Sequence, residues 1–185
     1  AGWGPMSINL EDVPYPHPVS YFSFTLEDQD VRMAYMDAAP IGTPNGKSVL
    51  LLHGMNFFGE AWTDTIEILR KEGYRVVVPD QIGFGRSSKP ILHYSISTHA
   101  ANTKRLLDHL GIKTTDVVTH SMGGMVASRF ASSYPDAVGN LAIDDDDSPA
   151  TNEPVIPAPT INASQRTFSR SLPGADCRLL QTKAS

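Results

Sequence analysis

The chain of 185 residues is long enough for one domain with a hydrophobic core, and its 41% hydrophobic and 19% charged residues are ordinary for a globular protein. A net charge of −5 without any Lys/Arg cluster argues against a nucleic-acid partner, and no apolar run approaches the roughly 18 residues that indicate a membrane span. The single cysteine, Cys177, excludes an intramolecular disulfide and argues against a zinc site, and neither a metal nor another cofactor is predicted.

The compartment stays open. The chain begins with Ala1 instead of methionine, and no charged segment followed by an apolar one is visible behind it. The protein is expected to be soluble, either exported after signal cleavage or cytoplasmic.

The first elements are an irregular arm and a β-hairpin. Four prolines keep residues 1–18 from regular structure. Alternating runs rich in aromatic and β-branched residues predict strands at 19–26 and 31–38, joined by a turn at 28–30.

Buried strands then alternate with helices. Continuous apolar runs are typical of strands covered on both faces. Such runs lie at residues 48–53, 74–80, 116–120 and 137–143. Helical periodicity, ended by Gly or Pro, is found at residues 60–74, 95–111 and 123–134, with Ser97 as the predicted cap of the second helix. This alternation implies parallel βαβ crossovers, and therefore an α/β fold with a mostly parallel, doubly wound sheet over residues 19–143.

Residues 144–185 differ from the rest of the chain. They carry five prolines and many Ser and Thr residues, with Phe168 as the single aromatic, and they show neither strand nor helix periodicity. Such a segment buries too little apolar area to offset its ordering entropy, so it is predicted to be a largely disordered tail.

Ser121 lies on a predicted sharp turn between a strand and a helix. The surrounding small-x-Ser-x-small pattern avoids collisions with neighbouring strands and holds the serine at the carboxyl edge of the sheet. Free N–H groups at the start of the next helix favour a developing oxyanion at the same place. Gly123 meets the second small position, whereas Thr119 is β-branched where glycine is usual.

Three motifs together resemble the N-terminal portion of α/β-hydrolase-fold serine hydrolases of the esterase, lipase and epoxide-hydrolase-like group. They are LLLHGMNFFGEAW at 50–62, VVVPDQIGFGRSSKP at 76–90 and VVTHSMGGMVASRFASSYPDAVGNLAI at 117–143. The resemblance covers roughly residues 19–143 and implies an incomplete α/β-hydrolase fold with about six of the family's eight strands. It also implies a serine hydrolase acting on a small ester or related acyl substrate.

The same resemblance implies roles for particular residues. Ser121 is the expected nucleophile, and the backbone N–H groups of Met55 and Met122 are the expected oxyanion hole. Residues expected to support the site are His53, Gly54, Asp80 and Gly123. His53 is expected to brace the oxyanion loop instead of acting as general base.

The sequence offers no histidine in the position where the resemblance implies the general base. In this family an acid and then a histidine follow the nucleophile, yet no histidine follows Ser121. Asp144 or Asp145 is a candidate acid, although the run of four aspartates at 144–147 also fits a solvated start of the tail. His120 is expected to point away from Ser121. The other histidines are predicted to lie on the surface or in loops, and they are His17, His93, His99 and His109.

Two functional hypotheses follow. A serine hydroxyl without an adjacent base is a poor nucleophile, so this chain is expected to be an inactive or severely impaired hydrolase. In that case the tail is interpreted as an out-of-frame translation, since family likeness and globular character end together near residue 144. The alternative is a non-catalytic protein that binds a small ligand or a partner. An unpaired sixth strand would favour self-association through the sheet edge, whereas a histidine supplied by a second chain has no support in the sequence.

Overall fold

A twisted sheet of seven strands organises the structure, a computed structural model that describes residues 7–144 and 166–169. The strands are β1 (Val19–Leu26), β2 (Gln29–Ala38), β3 (Ser48–Leu52), β4 (Arg75–Pro79), β5 (Thr115–His120), β6 (Val138–Asp144) and β7 (Arg166–Ser169). Their order across the sheet is β1-β2-β4-β3-β5-β6-β7. The β1–β2 and β2–β4 pairs are antiparallel and all other pairs are parallel, which confirms the predicted mostly parallel α/β sheet.

Helices cover both faces of the sheet. They are α1 (Thr63–Lys71), preceded by a 3-10 turn at Gly59–Trp62, α2 (Ile96–His109) and α3 (Met122–Ser133). No helix among the described residues is long and apolar enough to cross a membrane. The predicted cap of α2 is wrong by two residues, because the Ser95 hydroxyl, not that of Ser97, accepts the Thr98 N–H at 3.0 Å.

The hydrophobic core lies in two layers, one on each side of the sheet. Side chains alternate between the faces of a strand, so Leu50 packs with Leu106 and Phe130 of α2 and α3, while Leu51 packs with Ile66 of α1. The continuous apolar run of β3 is therefore buried on both faces of the sheet, as its sequence predicts.

The C-terminal strand β7 departs from the prediction. The sequence predicts no strand beyond residue 143, yet the backbone of Arg166–Ser169 runs parallel to β6, with Asn140 opposite Arg166 and Ile143 opposite Ser169. Four residues are too few to show an alternating pattern among prolines and hydroxyl residues, so the signal was absent. The expectation of an unpaired sixth strand is wrong over Asn140–Ile143. The remaining parts of the predicted disordered tail, 145–165 and 170–185, lie outside the described residues.

Candidate active site

Ser121 occupies a strained turn between β5 and α3. Its backbone has φ 52° and ψ −122°, a left-handed conformation that is unfavourable for a residue with a Cβ atom. The Ser121 carbonyl accepts the Gly124 N–H at 2.8 Å, which starts the helix directly after the turn. The serine itself is exposed at the carboxyl edge of the parallel strands. A strained, exposed polar residue at this edge is the arrangement that the small-x-Ser-x-small pattern predicts.

Two glycines allow the chain to pack closely around Ser121. A Cβ atom at Gly123 would lie 2.3 Å from the Leu52 carbonyl oxygen, a collision that any other residue could relieve only by a shift of the backbone. A Cβ atom at Gly54 would lie 3.0 Å from the Ser121 Cβ and 2.9 Å from His120 Nδ1. The loop after β3 therefore lies directly beside the serine.

Thr119 fits the turn although glycine is usual at its position. The side chain is fully buried, and its hydroxyl donates to the Ala142 carbonyl of β6 at 3.3 Å. A Cβ atom at the nearby Gly124 would lie 2.9 Å from Ile143 Cγ2 but 3.5 Å from Thr119 Oγ1, an ordinary contact distance, so this glycine admits Ile143 and is not required by Thr119.

The two expected oxyanion donors flank Ser121. Met122 is the first residue of α3, so its N–H has no acceptor inside the helix. Met55 follows Gly54, the residue packed against Ser121. The Met122 side chain is buried while that of Met55 is 56% exposed, so the latter side chain is available to contact a substrate.

His53 is buried and both of its ring nitrogens are engaged. Nε2 accepts the Gln81 backbone N–H at 2.9 Å, so the proton resides on Nδ1, which donates to the Gly54 carbonyl at 2.8 Å. The Gln81 side-chain amide donates in turn to the His53 carbonyl at 2.9 Å. Burial lowers the pKa of His53 below its ordinary value. The imidazole is thus a neutral brace that joins the loop after β3 to the loop after β4.

Asp80 ties three further segments together at the same edge. Its buried carboxylate accepts the Gly59 N–H at 2.7 Å, the Arg86 N–H at 2.7 Å and the Tyr15 hydroxyl at 2.6 Å. Burial, reinforced by the Asp80 charge, raises the pKa of Tyr15 above its ordinary value, which keeps the phenol protonated as a donor. Sequence reasoning missed Tyr15, because it lies in an arm without periodicity and its partner is 65 residues away.

The candidate acid Asp144 and His120 lie opposite each other at the carboxyl ends of β6 and β5. Asp144 is the last residue of β6, and its backbone stands in register with His120. The structure describes no side chain for Asp144, and Asp145 lies outside the described residues. The His120 ring packs edge-on to the Phe57 ring, with 5.3 Å between the two ring centroids.

The remaining histidines do not bond to Ser121. His17 contacts Glu67 at 2.8 Å, His109 stacks on Phe22 at 4.4 Å between ring centroids, and His93 is exposed. The prediction that His99 lies on the surface or in a loop is wrong, since it is a helical residue only 5% exposed. Within residues 7–144, no hydrogen bond joins a histidine to Ser121.

A cavity of about 440 Å³ opens beside Ser121 on the α3 side. It is lined by Ser121, Gly124, Met125, Ser128 and Ile143. None of these side chains is charged, so the cavity favours an uncharged, largely apolar group.

The strand order, the turn at Ser121 and the adjoining loop after β3 define an α/β-hydrolase fold. A family profile described as alpha/beta hydrolase fold matches residues 47–170, and the chain belongs to this family.

Known proteins extend this comparison. A haloalkane dehalogenase of Mycolicibacterium paratuberculosis is 36% identical over 138 residues, which cover 73% of this chain and 44% of that protein. A probable hydrolytic enzyme from Pseudomonas aeruginosa superposes with a TM-score of 0.72 at 45% identity, covering 75% of this chain and 44% of the other. An esterase from Thermogutta terrifontis superposes with a TM-score of 0.59 at 30% identity, covering 69% of this chain and 45% of the esterase. The chain thus spans less than half the length of each of these relatives.

Proposed function

We propose that Ser121 is the nucleophile of a hydrolase that acts on small esters or related acyl substrates. The observation that carries this proposal is the exposed serine at φ 52°, held between the start of α3 and the loop containing Gly54. An acyl carbon attacked by Ser121 Oγ would develop its oxyanion between the N–H groups of Met55 and Met122.

Serine chemistry favours acyl substrates over alkyl halides. Attack on an acyl carbon expels the alcohol and leaves an acyl ester on Ser121, which water then hydrolyses to release the acid and regenerate the hydroxyl. Attack on the carbon of a haloalkane would expel halide and leave an ether on Ser121. An ether has no carbonyl for water to attack, so the serine would not be regenerated. The dehalogenase likeness therefore supports the fold, whereas the esterase likeness fits the nucleophile.

The cavity beside Ser121 supports a small substrate. Its volume of about 440 Å³ lies near the lower end of the roughly 300–1,000 Å³ that small-molecule pockets occupy. Met125 and Ile143 supply apolar walls, and none of the described side chains that line it is charged. A short, uncharged acyl chain is the group that these walls favour.

This chain by itself is proposed to be severely impaired. No histidine follows Ser121, and His53 is committed to Gln81 and Gly54. Without a base, oxyanion stabilisation and binding alone typically leave a residual acceleration of about 10³–10⁴-fold over water.

Covalent labelling with a fluorophosphonate, followed by intact mass, tests the nucleophile. We expect slow labelling that Ser121→Ala abolishes, together with little turnover of p-nitrophenyl acetate. Ser128→Ala is the matched control, because this serine lines the same cavity but donates to the Gly124 carbonyl at 2.8 Å. Equal labelling of the Ser121→Ala variant would overturn the assignment, and fast ester turnover would overturn the impairment.

The alternative function is a non-catalytic protein that binds a small ligand or a partner, favoured by the missing histidine. Complete inertness of Ser121 toward the fluorophosphonate would support it. Self-association through a sheet edge belongs to this alternative, with β1 and β7 as the edge strands of the described sheet now that β6 is paired. Dimers detected by sedimentation would support it further.

A further inference from the structure

Three basic residues stand side by side at the amino ends of neighbouring strands. Lys47 directly precedes β3, Arg75 is the first residue of β4, and Lys113 lies two residues before β5. Ser48 is in register with Arg75, and its hydroxyl donates to the Thr114 carbonyl at 3.4 Å. Because neighbouring strands lie about 4.8 Å apart, the backbones of the three basic residues are close together. This edge of the sheet is opposite the one that carries the candidate active site.

A cavity of about 540 Å³ opens where these residues meet. Lys47, Arg75 and Lys113 all line it, together with Pro40, Pro44, Ile112 and the glycines Gly46, Gly73 and Gly111. It shares no residue with the cavity beside Ser121. A ligand bound there would therefore not touch the serine.

Two positive charges in this cavity have no counter-charge among the described residues. Lys47 and Lys113 are exposed, and neither forms an ion pair within the described part of the chain. Asp37 neutralises Arg75, accepting from Nε at 2.9 Å and from Nη2 at 2.7 Å, which leaves Nη1 as a further donor. No carboxylate is among the described residues that line the cavity. Since like charges repel, an anion between the two ammonium groups would be stabilising.

The backbone adds donors at the same place. The N–H groups of Gly46 and Lys113 donate to no acceptor among the described residues. Gly46 and Gly111 have φ values of +76° and +68°, and no atom lies within 4 Å of a Cβ placed on either residue. A ligand can therefore approach the main chain as closely as it approaches the lysines.

The charge and the walls select the class of anion. A phosphate monoester carries a charge of about −1.5 to −2 near pH 7 and presents three strong acceptor oxygens, so it matches two lysines and the free Arg75 Nη1 better than a singly charged carboxylate does. Pro40 and Pro44 supply apolar surface for the organic part of such a molecule.

We propose that this cavity binds a small, soluble phosphate monoester, with its phosphate between Lys47 and Lys113 and its organic part against Pro40 and Pro44. The site is independent of any reaction at Ser121.

Titration with phenyl phosphate at low ionic strength, followed by the backbone ¹H–¹⁵N signals, tests the proposal. We expect saturable shifts at Gly46, Gly111 and Lys113, and none at Gly123 beside the serine. Phenol, which has the same ring without the phosphate, should produce no saturable shift at these residues. Absence of saturation with phenyl phosphate, or equal affinity for phenol, would overturn the proposal.

Charge variants locate the ligand. Lys47→Gln and Lys113→Gln should each weaken phenyl phosphate binding about threefold to fivefold, because exposed ion pairs are individually weak, and the double variant should weaken it about tenfold or more. Lys104→Gln is the matched control, since it removes the same charge from α2 outside the cavity. Ser121→Ala should also leave the affinity unchanged. Undiminished binding by the double variant, or an equal loss in Lys104→Gln, would contradict the proposal.

Vesicles that contain phosphatidic acid distinguish a soluble ligand from a lipid headgroup, because this lipid carries the same phosphate monoester on a membrane surface. We expect the chain to remain in the supernatant when such vesicles are sedimented. Sedimentation of the chain with the vesicles, lost in the double lysine variant, would assign the cavity to a lipid headgroup and overturn the soluble ligand.

Discussion

The two sides of Ser121 are held by very different numbers of contacts. On the side of β3 and β4, His53, Gln81 and Asp80 join the adjoining loops through six short, largely buried hydrogen bonds. On the side of β6, the bond from Thr119 to the Ala142 carbonyl is 3.3 Å long. The side of the proposed oxyanion hole is therefore preorganised by contacts within residues 15–86. The Asp116 carboxylate also joins β5 to β6 by accepting the backbone and side-chain N–H groups of Asn140 at 2.8 and 2.7 Å, but it does so near the start of β5, away from Ser121. At the carboxyl end of β6, where the family places its acid, the described residues show no comparable bracing.

The largest expected effect is the loss of the Asp80 carboxylate. Asp80→Ala leaves the Tyr15 hydroxyl and the N–H groups of Gly59 and Arg86 without their acceptor. Each unsatisfied donor is unfavourable, so the free energy of unfolding should fall by about 4 kcal/mol, measured by urea denaturation. Asp108→Ala is the control, because Asp108 forms only an exposed i,i+4 pair with Lys104 and should change stability by less than about 0.5 kcal/mol. If the two substitutions lowered the free energy of unfolding equally, the hydrogen bonds of Asp80 would not stabilise the fold.

Gly123→Ala should cause the second largest loss of stability. The new Cβ would lie 2.3 Å from the Leu52 carbonyl oxygen, and neither backbone can move without disturbing β3 or α3. Such overpacking should lower the free energy of unfolding by about 3 kcal/mol. Gly111→Ala provides the comparison, because φ is +68° there but no atom lies within 4 Å, so that only backbone strain of about 1 kcal/mol is expected. A Gly123→Ala protein as stable as Gly111→Ala would contradict the close packing at the turn that carries Ser121.

Acid should weaken the braced side through its buried histidines. Burial lowers the folded-state pKa of His53 and His99, while both take up a proton at about pH 6.5 once unfolded. The unfolded state then binds more protons than the folded state below that pH. The contribution of these two histidines to the free energy of unfolding should not change with pH above about pH 6.5. Below that pH it should fall by up to about 1.4 kcal/mol per pH unit for each histidine.

His99→Leu isolates one of these protons. Denaturation between pH 5 and 7 should show a smaller slope of the free energy of unfolding with pH than that of the unmodified chain, because burial lowers the folded-state pKa of His99. An unchanged slope would mean that His99 is protonated in the folded protein, against its burial among Phe84 and Tyr94.

The smallest effect is expected on the β6 side. Thr119→Val keeps the shape of the buried side chain and removes only its long hydrogen bond to the Ala142 carbonyl. The free energy of unfolding should fall by about 0.5–1 kcal/mol, measured by urea denaturation. A loss approaching that of Asp80→Ala would show that β5 and β6 are coupled as strongly as the two braced loops.

Much of the architecture could be predicted because its signals are local. The run that forms β3 is apolar throughout since Leu50 and Leu51 face opposite layers of core. The turn at Ser121 could be predicted because only small residues pass the Leu52 carbonyl. These signals lie within a few residues of the structure they specify.

The rest depended on distant partners or on segments too short to show a period. The Tyr15–Asp80 bond joins an arm without periodicity to a loop far along the chain. The strand at Arg166–Ser169 is four residues long. Burial of His99 follows from its neighbours Phe84 and Tyr94, which the helical pattern alone does not reveal.

The most direct test of the proposed preorganised site is chemical rescue with imidazole. Fluorophosphonate labelling of Ser121 is followed by intact mass at increasing imidazole concentration, with the rate in Ser121→Ala subtracted. If the turn at Ser121 and the proposed oxyanion hole are preorganised, the Ser121-dependent rate of labelling should rise in proportion to the imidazole concentration. The added base takes the proton that no histidine of this chain accepts. A rate that does not respond to imidazole, or that persists in Ser121→Ala, would contradict the account.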